Sequence, residues 1–209
     1  RDHRTLMFNV PRASYTSAYG PRYKDSNDTL TVVGSYNLLT TGADTLGFLY
    51  RGEIKDLNLA SNFILNMNID VELHDYFDPG ILYDSHPNQT FTHSTDGELA
   101  VGTSSFQSLI PGSPGLITSF IYNIREPGGV LEDPYTQFYI TSEYDSDTND
   151  LSFGQPGVTL FSTTIYGIVT SFAPGYPNRY TIVGGYINSN NESENGYVGD
   201  ITVDVIGNP

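Results

Sequence analysis

The chain has 209 residues, with 9 Lys or Arg, 24 Asp or Glu and no Cys, and its formal charge is −15. The absence of Cys excludes disulfides, thiol nucleophiles and Cys-ligated metal sites, and the few scattered cations argue against nucleic acid as a partner, which needs clustered Lys and Arg. No apolar run approaches the roughly 20 residues that a membrane-spanning helix requires. Since all-β architectures often exceed 200 residues undivided, we expect one domain over residues 1–209 and no membrane span.

The elements along the chain are predicted to be strands. Residues 5–11 form a first strand, and residues 31–36 and 180–187 are rich in β-branched and aromatic residues. Over residues 65–74 apolar and polar side chains alternate strictly, which is typical of a strand with one buried side. Pro and Gly turns interrupt every run, and no window has the periodicity of an amphipathic helix. The fold class is therefore predicted to be all-β.

A four-part motif occurs three times. Each copy has a Leu five residues before a Pro, a Thr-rich strand that ends in Gly, a Val-Gly strand and a Phe/Tyr strand. The Leu and Pro pairs are Leu6 and Pro11, Leu82 and Pro87, and Leu151 and Pro156. The Val-Gly strands lie at residues 31–36, 99–103 and 181–186, and the Phe/Tyr strands at 47–50, 119–122 and 196–199. We predict three four-stranded units near residues 5–60, 80–140 and 150–206, with an extra strand region at 61–75, arranged like a propeller or packed as a β-sandwich.

The order of the parts within the chain is offset. The first unit begins with a lead strand at residues 5–10, whereas the third unit ends near residue 205 without one. In ring-shaped β folds such an offset lets the first strand complete the last unit and protect its edge. We therefore predict that the N-terminal strand completes the last unit or a neighbouring subunit, with Leu6, Phe8 and Val10 as the contact residues.

The succession of Pro-x-x-x-Thr, Tyr-Gly, Val-Gly-x-Tyr and Gly-Phe-Leu-Tyr resembles the bacterial extracellular repeats named for a His-Ala-Phe (HAF) signature. The resemblance covers most of the chain in about three units, but the signature His is replaced by Leu46, Thr118 and Asn195. It implies a secreted or surface β-repeat protein, and the family brings no established activity. No role that depends on the signature His is transferred to this chain.

Two loops are candidate calcium sites, because they place oxygen ligands at alternating positions of a short turn. The candidate ligands are Asp145, Asp147, Asn149 and Asp150 in one loop and Asp25, Asn27 and Asp28 in the other. The same residues also favour turns without any metal, because they bond to their own backbone. Ca²⁺ is the one cofactor that the sequence suggests.

The chain contains 16 Tyr and 11 Phe but no Trp. A Tyr ring stacks on sugar faces while its hydroxyl stays hydrated, so tyrosines in loops are candidate ligand contacts. These are Tyr23, Tyr76, Tyr83, Tyr144 and Tyr176. Asn27, Asn88 and Asn191 each begin a glycosylation sequon in or beside a predicted loop, as expected of an exported protein.

Catalytic patterns are weak in this sequence. Asp75 with Asp78, and Glu132 with Asp133, are carboxylate pairs beside aromatic residues, but nothing in their spacing separates an acid from a nucleophile. None of the four histidines has a partner at zinc-binding spacing, and His93 cannot form a triad with its strand neighbours. We therefore predict no catalytic residues.

The sequence favours a non-catalytic, secreted or cell-surface structural protein that self-associates by β-strand addition, for example as a filament or sheath subunit. Its predicted partners are other copies of itself. The first alternative is a calcium-assisted, lectin-like module that binds glycans, and the second is a carbohydrate-active hydrolase.

Overall fold

The structure is a computed structural model. It describes residues 7–24, 28–38, 45–57, 59–65, 88–107, 109, 111, 116–124, 135–138, 160–171, 179–188 and 191–202. These residues form eleven strands and two short 3-10 turns and contain no α-helix, which confirms the predicted all-β class. The strands are β1 (Ala13–Lys24), β2 (Thr29–Leu38), β3 (Leu46–Glu53), β4 (Phe63–Leu65), β5 (Gln89–Thr95), β6 (Leu99–Phe106), β7 (Leu116–Asn123), β8 (Tyr135–Phe138), β9 (Leu160–Thr170), β10 (Arg179–Asn188) and β11 (Asn191–Thr202).

The strands form three antiparallel meanders, which we call the first unit (β1, β2, β3), the second unit (β5, β6, β7) and the third unit (β9, β10, β11). Short strands β4 and β8 pair with β3 and β7 and extend the first two units. The first unit is a four-stranded sheet in the order β1-β2-β3-β4, and the other two share a sheet in the order β11-β10-β9-β7-β6-β5. The described strands close into neither a barrel nor a propeller.

Each sequence motif occupies an equivalent strand. The Thr-rich copies lie in the first strand of each unit, the Val-Gly copies in the middle strand and the Phe/Tyr copies in the third strand. The middle strands carry a central glycine, which pairs directly with an aromatic residue of the third strand. The three pairs are Gly34 with Phe48, Gly102 with Phe120, and Gly184 with Tyr197. These pairs define which positions are equivalent in the three units.

The central glycines leave room for both a neighbouring backbone and an aromatic ring. A Cβ atom at Gly102 would overlap the carbonyl oxygen of Phe91 and lie 2.5 Å from the ring of Phe120. Gly34 and Gly184 have the same surroundings, with a strand carbonyl on one side and the ring of Phe48 or Tyr197 on the other. A side chain would separate the strands, so the geometry of each meander depends on this glycine.

Consecutive units are joined by equivalent parallel bridges. Thr45 pairs with Gln89 between the first and second units, and Ile117 pairs with Ser162 between the second and third. Thr45 and Ile117 each lie three residues before the aromatic residue of the glycine pair. The two junctions therefore repeat one arrangement, in which the start of a third strand meets the start of the next first strand.

The predicted lead strand is wrong for residues 7–10, which are described and lie in no strand. Val10 donates its N–H to Thr16 Oγ1 (3.2 Å) and accepts a hydrogen bond from the N–H of Ala13 (3.1 Å). Pro11 has no N–H, and Arg12 has a left-handed backbone with φ of 65°. The backbone of Val10 is thus bonded to neighbours in sequence, and residues 7–10 pair with no described strand.

Candidate functional site

Each unit has two sides that can be assigned from the strand register, because directly paired residues lie on the same side of a sheet. In the first two units one side faces the next unit along the chain. We call this side, and the equivalent side of the third unit, the forward face, and the opposite side the back face. The forward face carries the valine before the central glycine and the apolar residue paired with it. In the first unit these are Val33 and Leu49.

The forward face of the first unit packs on the back face of the second unit. Val33 and Leu49 form one buried cluster with Ala100, Phe120 and Tyr122, which lie on the back face of the second unit. Arg51 of the first unit donates from Nη1 to the carbonyl of Ile124, at 3.0 Å. The contact therefore combines an apolar centre with a hydrogen bond at its edge.

The second and third units pack in the same way. The forward residues Leu99, Val101 and Ile121 form a buried cluster with Ile182 and Tyr197, both on the back face of the third unit. Burial raises the pKa of Tyr197 to about 12, so this phenol stays protonated and donates to the carbonyl of Thr164, at 3.0 Å.

Side-chain hydrogen bonds between the second and third units surround this apolar cluster. Thr170 donates to Asp96 Oδ2 (2.8 Å), and the hydroxyl of Tyr180 donates to Glu98 Oε2 (3.3 Å). These two hydrogen bonds, from two strands of the third unit to two carboxylates of the second, help to fix the register of the contact.

The valines on the forward face of the third unit are exposed, unlike the equivalent residues of the other two units. Val33 and Val101 are 0% exposed, but Val183 at the equivalent position is 42% exposed. Ile121 is 4% exposed, whereas its equivalent Val198 is 72% exposed. Val169 lies on the same face beside Thr181 and is 41% exposed. Val183 and Val198 thus present to solvent a surface whose counterparts are buried in both other units, and Val169 extends this exposed surface.

One end of this face is polar. Arg179 Nη2 binds Asp200 Oδ2 (2.5 Å), and Thr181 donates to Asp200 Oδ1 (2.7 Å). The hydrogen bond from Thr181 and then that from Arg179 lower the pKa of Asp200, so this carboxylate stays ionised at neutral pH. An apolar centre with a polar rim is the composition of protein–protein contact surfaces.

The first strands place one aromatic side chain each along the edge of the stacked units. In each first strand, the aromatic residue directly follows the residue that pairs with the central glycine. The three residues are Tyr19, His93 and Tyr166. The His93 ring lies 6.3 Å from Tyr19 and 5.3 Å from Tyr166, measured between ring centroids. His93 also stacks on Phe91 at 6.1 Å. The row therefore links all three units.

His93 makes the stability of this row depend on pH. Burial lowers the pKa of His93 below its ordinary value of 6.5, so the folded chain favours the neutral ring. Below pH 6.5 the unfolded chain binds the proton more readily than the folded chain does. The free energy of unfolding is therefore expected to fall as the pH decreases from 7.5 to 5.5.

Urea unfolding of the wild type and of His93→Gln at both pH values measures this effect. The contribution of His93 is the difference between the two pH dependences, and the other ionisable groups cancel in that difference. Equal pH dependence in the two proteins would contradict the assignment.

The structure places three of the predicted site residues in other surroundings. Phe8 and Val10, predicted as subunit contacts, pack against the first unit of their own chain. Tyr23 lies in β1 and not in a loop, and its hydroxyl donates to Asp28 (2.5 Å), one of the predicted calcium ligands. The described residues contain no group of three or more His, Asp or Glu that could hold a metal ion.

Two sequons lie at strand ends. Asn88 is exposed just before β5, and Asn191 is the first residue of β11. The other predicted residues lie outside the described part of the chain. They are Leu6, Asp25, Asn27, Tyr76, Tyr83, Tyr144, Asp145, Asp147, Asn149, Asp150 and Tyr176. Calcium binding, glycosylation, glycan binding and the secreted location stay predictions. The described residues include no helix that is long and apolar enough to cross a membrane.

The uncovered valines were missed by the sequence-based reasoning, although a signal for them was present. Val33 and Val183 stand directly before the central glycine of the two best motif copies. That match predicts the same environment for both residues. It does not reveal that Val33 is buried whereas Val183 is exposed.

The chain matches no protein-family model and no curated protein. The resemblance to His-Ala-Phe repeats therefore stays an expectation from short motifs.

Proposed function

We propose that this chain is a non-catalytic structural repeat protein that self-associates, with the forward face of the third unit as its docking surface. The proposal keeps the secreted or cell-surface location expected from the sequence. The observation that carries it is the change in burial at equivalent positions: Val101 is fully buried and Val183 is 42% exposed. A face that binds a following unit twice in one chain is already complementary to that kind of unit.

The contact differs from the strand addition expected from the sequence. Units one and two meet mainly through side chains of opposed sheet faces, with a single parallel bridge at the edge. We therefore propose packing of faces, and not addition of the N-terminal strand, as the mode of association.

The strength of the association follows from the size of the surface. Full burial of a valine stabilises a contact by about 1.5 kcal/mol or somewhat more, and Val183 is already partly buried. Association costs roughly 4–15 kcal/mol in lost translation and rotation. Three valines offset only the lower end of this range, so we expect weak, concentration-dependent association.

Sedimentation velocity over a wide concentration range tests the proposal. We expect wild-type chains to form larger species as concentration rises, and Val198→Asp to remain monomeric. Leu109→Asp is the matched control, because Leu109 is 57% exposed outside this face and the substitution adds the same charge. It should behave like the wild type.

Ionic strength provides a second readout. Copies that each carry a formal charge of −15 repel one another at low salt, and salt screens this repulsion. Association through apolar faces should therefore strengthen as salt increases. Monomers at every concentration and salt, or association that Val198→Asp leaves unchanged, would overturn the proposal.

A further inference from the structure

We propose that residues 7–10 are an N-terminal plug, which occupies on the first unit the place that a preceding unit occupies on the second and third. When the plug moves aside, the forward face of the third unit of a second copy docks there, and copies join head to tail. This inference rests on the proposed function and adds the identity of the partner surface and the device that blocks it.

The first argument is the equivalence of the back faces. Phe48 and Tyr50 of the first unit correspond to Phe120 and Tyr122 of the second, counted from the central glycine. Phe120 and Tyr122 are buried against the first unit, and Phe48 and Tyr50 are equally buried in a separate cluster that includes Phe8 and Val10. Among the described residues, Phe8, Val10 and Leu57 pack on the back face of the first unit, and none of them belongs to a strand.

The plug supplies part of that cover, together with Leu57. The Phe8 ring lies 5.7 Å from Phe48, 5.4 Å from Tyr50 and 5.4 Å from Phe63, measured between ring centroids. Val10 is buried in the same cluster. Two apolar side chains of the plug thus contact the surface that Val33 and Leu49 contact on the second unit.

The plug is attached in a way that permits exchange. Residues 7–10 lie in no strand, and the described backbone bonds of Val10 are to Thr16 and Ala13, close in sequence. Met7, the first residue of the plug, is 83% exposed. Releasing the plug breaks no sheet ladder, and an incoming forward face brings Val183 and Val198 to replace Phe8 and Val10.

This arrangement makes the two ends of one chain different. In the described part of the chain the forward end is open and the back end is plugged, so a wild-type copy can add to an unplugged copy but then presents another plugged end. Because only the unplugged fraction accepts a partner, the plug weakens the apparent affinity by the inverse of that fraction. Loss of the plug should therefore promote growth into chains of several copies.

Four proteins separate the two ends. Phe8→Asp with Val10→Asp releases the plug, and Val183→Asp with Val198→Asp blocks the forward face. The wild type and the protein with all four substitutions complete the set. Each is checked for a folded circular dichroism spectrum and then measured by light scattering after gel filtration.

We expect the plug-released protein to form species larger than dimers, at concentrations at least about tenfold below those at which the wild type associates. The protein with all four substitutions should be monomeric alone, since it offers only a back face. Mixed with wild type, which offers an open forward face and a mostly plugged back face, it should form a one-to-one complex. That mixture is the decisive measurement.

The outcomes distinguish this inference from the proposed function. In one outcome, wild type forms dimers that Val198→Asp abolishes, but plug release gives no larger species and the mixture gives no complex. This outcome contradicts the plug and leaves the docking face supported. No association in any protein or mixture overturns both. If the protein with Phe8→Asp and Val10→Asp does not fold, Phe8→Ser replaces it, because this variant retains the buried Val10. Phe8→Ser must then associate at a lower concentration than wild type, or the inference fails.

Discussion

Val101→Asp is expected to unfold much of the chain, whereas Val183→Asp at the equivalent position one unit later should leave the fold intact. Both residues precede the central glycine of a middle strand and lie on a forward face. Val101 is 0% exposed because the third unit covers it, and Val183 is 42% exposed. A carboxylate at residue 101 would lie in the apolar cluster between two units, with no cation among the buried residues around it.

The expected losses in free energy of unfolding differ severalfold between the two substitutions. A buried charge without a partner costs about 3–5 kcal/mol, a large share of the 5–15 kcal/mol that typically stabilises a domain. At residue 183 the carboxylate reaches water, and the cost is about 1 kcal/mol or less, mainly from the poor strand preference of Asp. Thermal unfolding followed by circular dichroism measures both values.

Val33→Asp serves as a second buried control, because Val33 is covered by the second unit in the same way. It should be as destabilising as Val101→Asp. If Val183→Asp proves equally costly, the forward face of the third unit is covered in solution, and the docking surface does not exist.

The strands of the units could be predicted from the sequence because their signals are local. Matching Val-Gly segments at 31–36 and 181–186, with an aromatic segment after each, identify the middle and third strands. Turn residues between them indicate short antiparallel connections. These features depend on neighbours along the chain, so one sequence contains enough information to predict them.

The N-terminal segment could not be predicted in this way, because its conformation is decided by contacts far along the chain. Leu6 and Pro11 match the spacing of two later Leu and Pro pairs, which suggested a strand. In the structure Val10 bonds to Thr16 and Phe8 packs on rings of β3 and β4. Packing on Phe48, Tyr50 and Phe63 outweighs the local pattern, since burial of a Phe ring contributes more than strand preference does.

The candidate docking surface could not be predicted from the sequence either. Whether a strand valine is core or surface depends on which unit faces it, and Val33 and Val183 have the same sequence signature in different surroundings. The exposure of Val183 reflects the packing of whole units, which the local motif does not encode.

Gly102→Ala is expected to destabilise the chain by about 3 kcal/mol, although Ala is only one methyl group larger. The added Cβ would overlap the carbonyl oxygen of Phe91 on one side and contact the ring of Phe120 on the other. Neither neighbour is free to move, because Phe91 pairs with Thr103 in β6 and Phe120 is fully buried. Overpacking against backbone typically costs about 1–3 kcal/mol, and the clash on two sides places this case at the upper end.

Gly199→Ala is the matched control within the same architecture. Gly199 also lies in a strand, but a Cβ there would lie 3.7 Å from Ile182, which is ordinary van der Waals distance. We expect an unchanged or slightly higher free energy of unfolding, since Ala restricts the unfolded chain more than Gly does. Urea unfolding of Gly34→Ala, Gly102→Ala, Gly184→Ala and Gly199→Ala should give three large losses and one small change. A similar result for all four would contradict the glycine and aromatic pair as the device that sets the spacing of each meander.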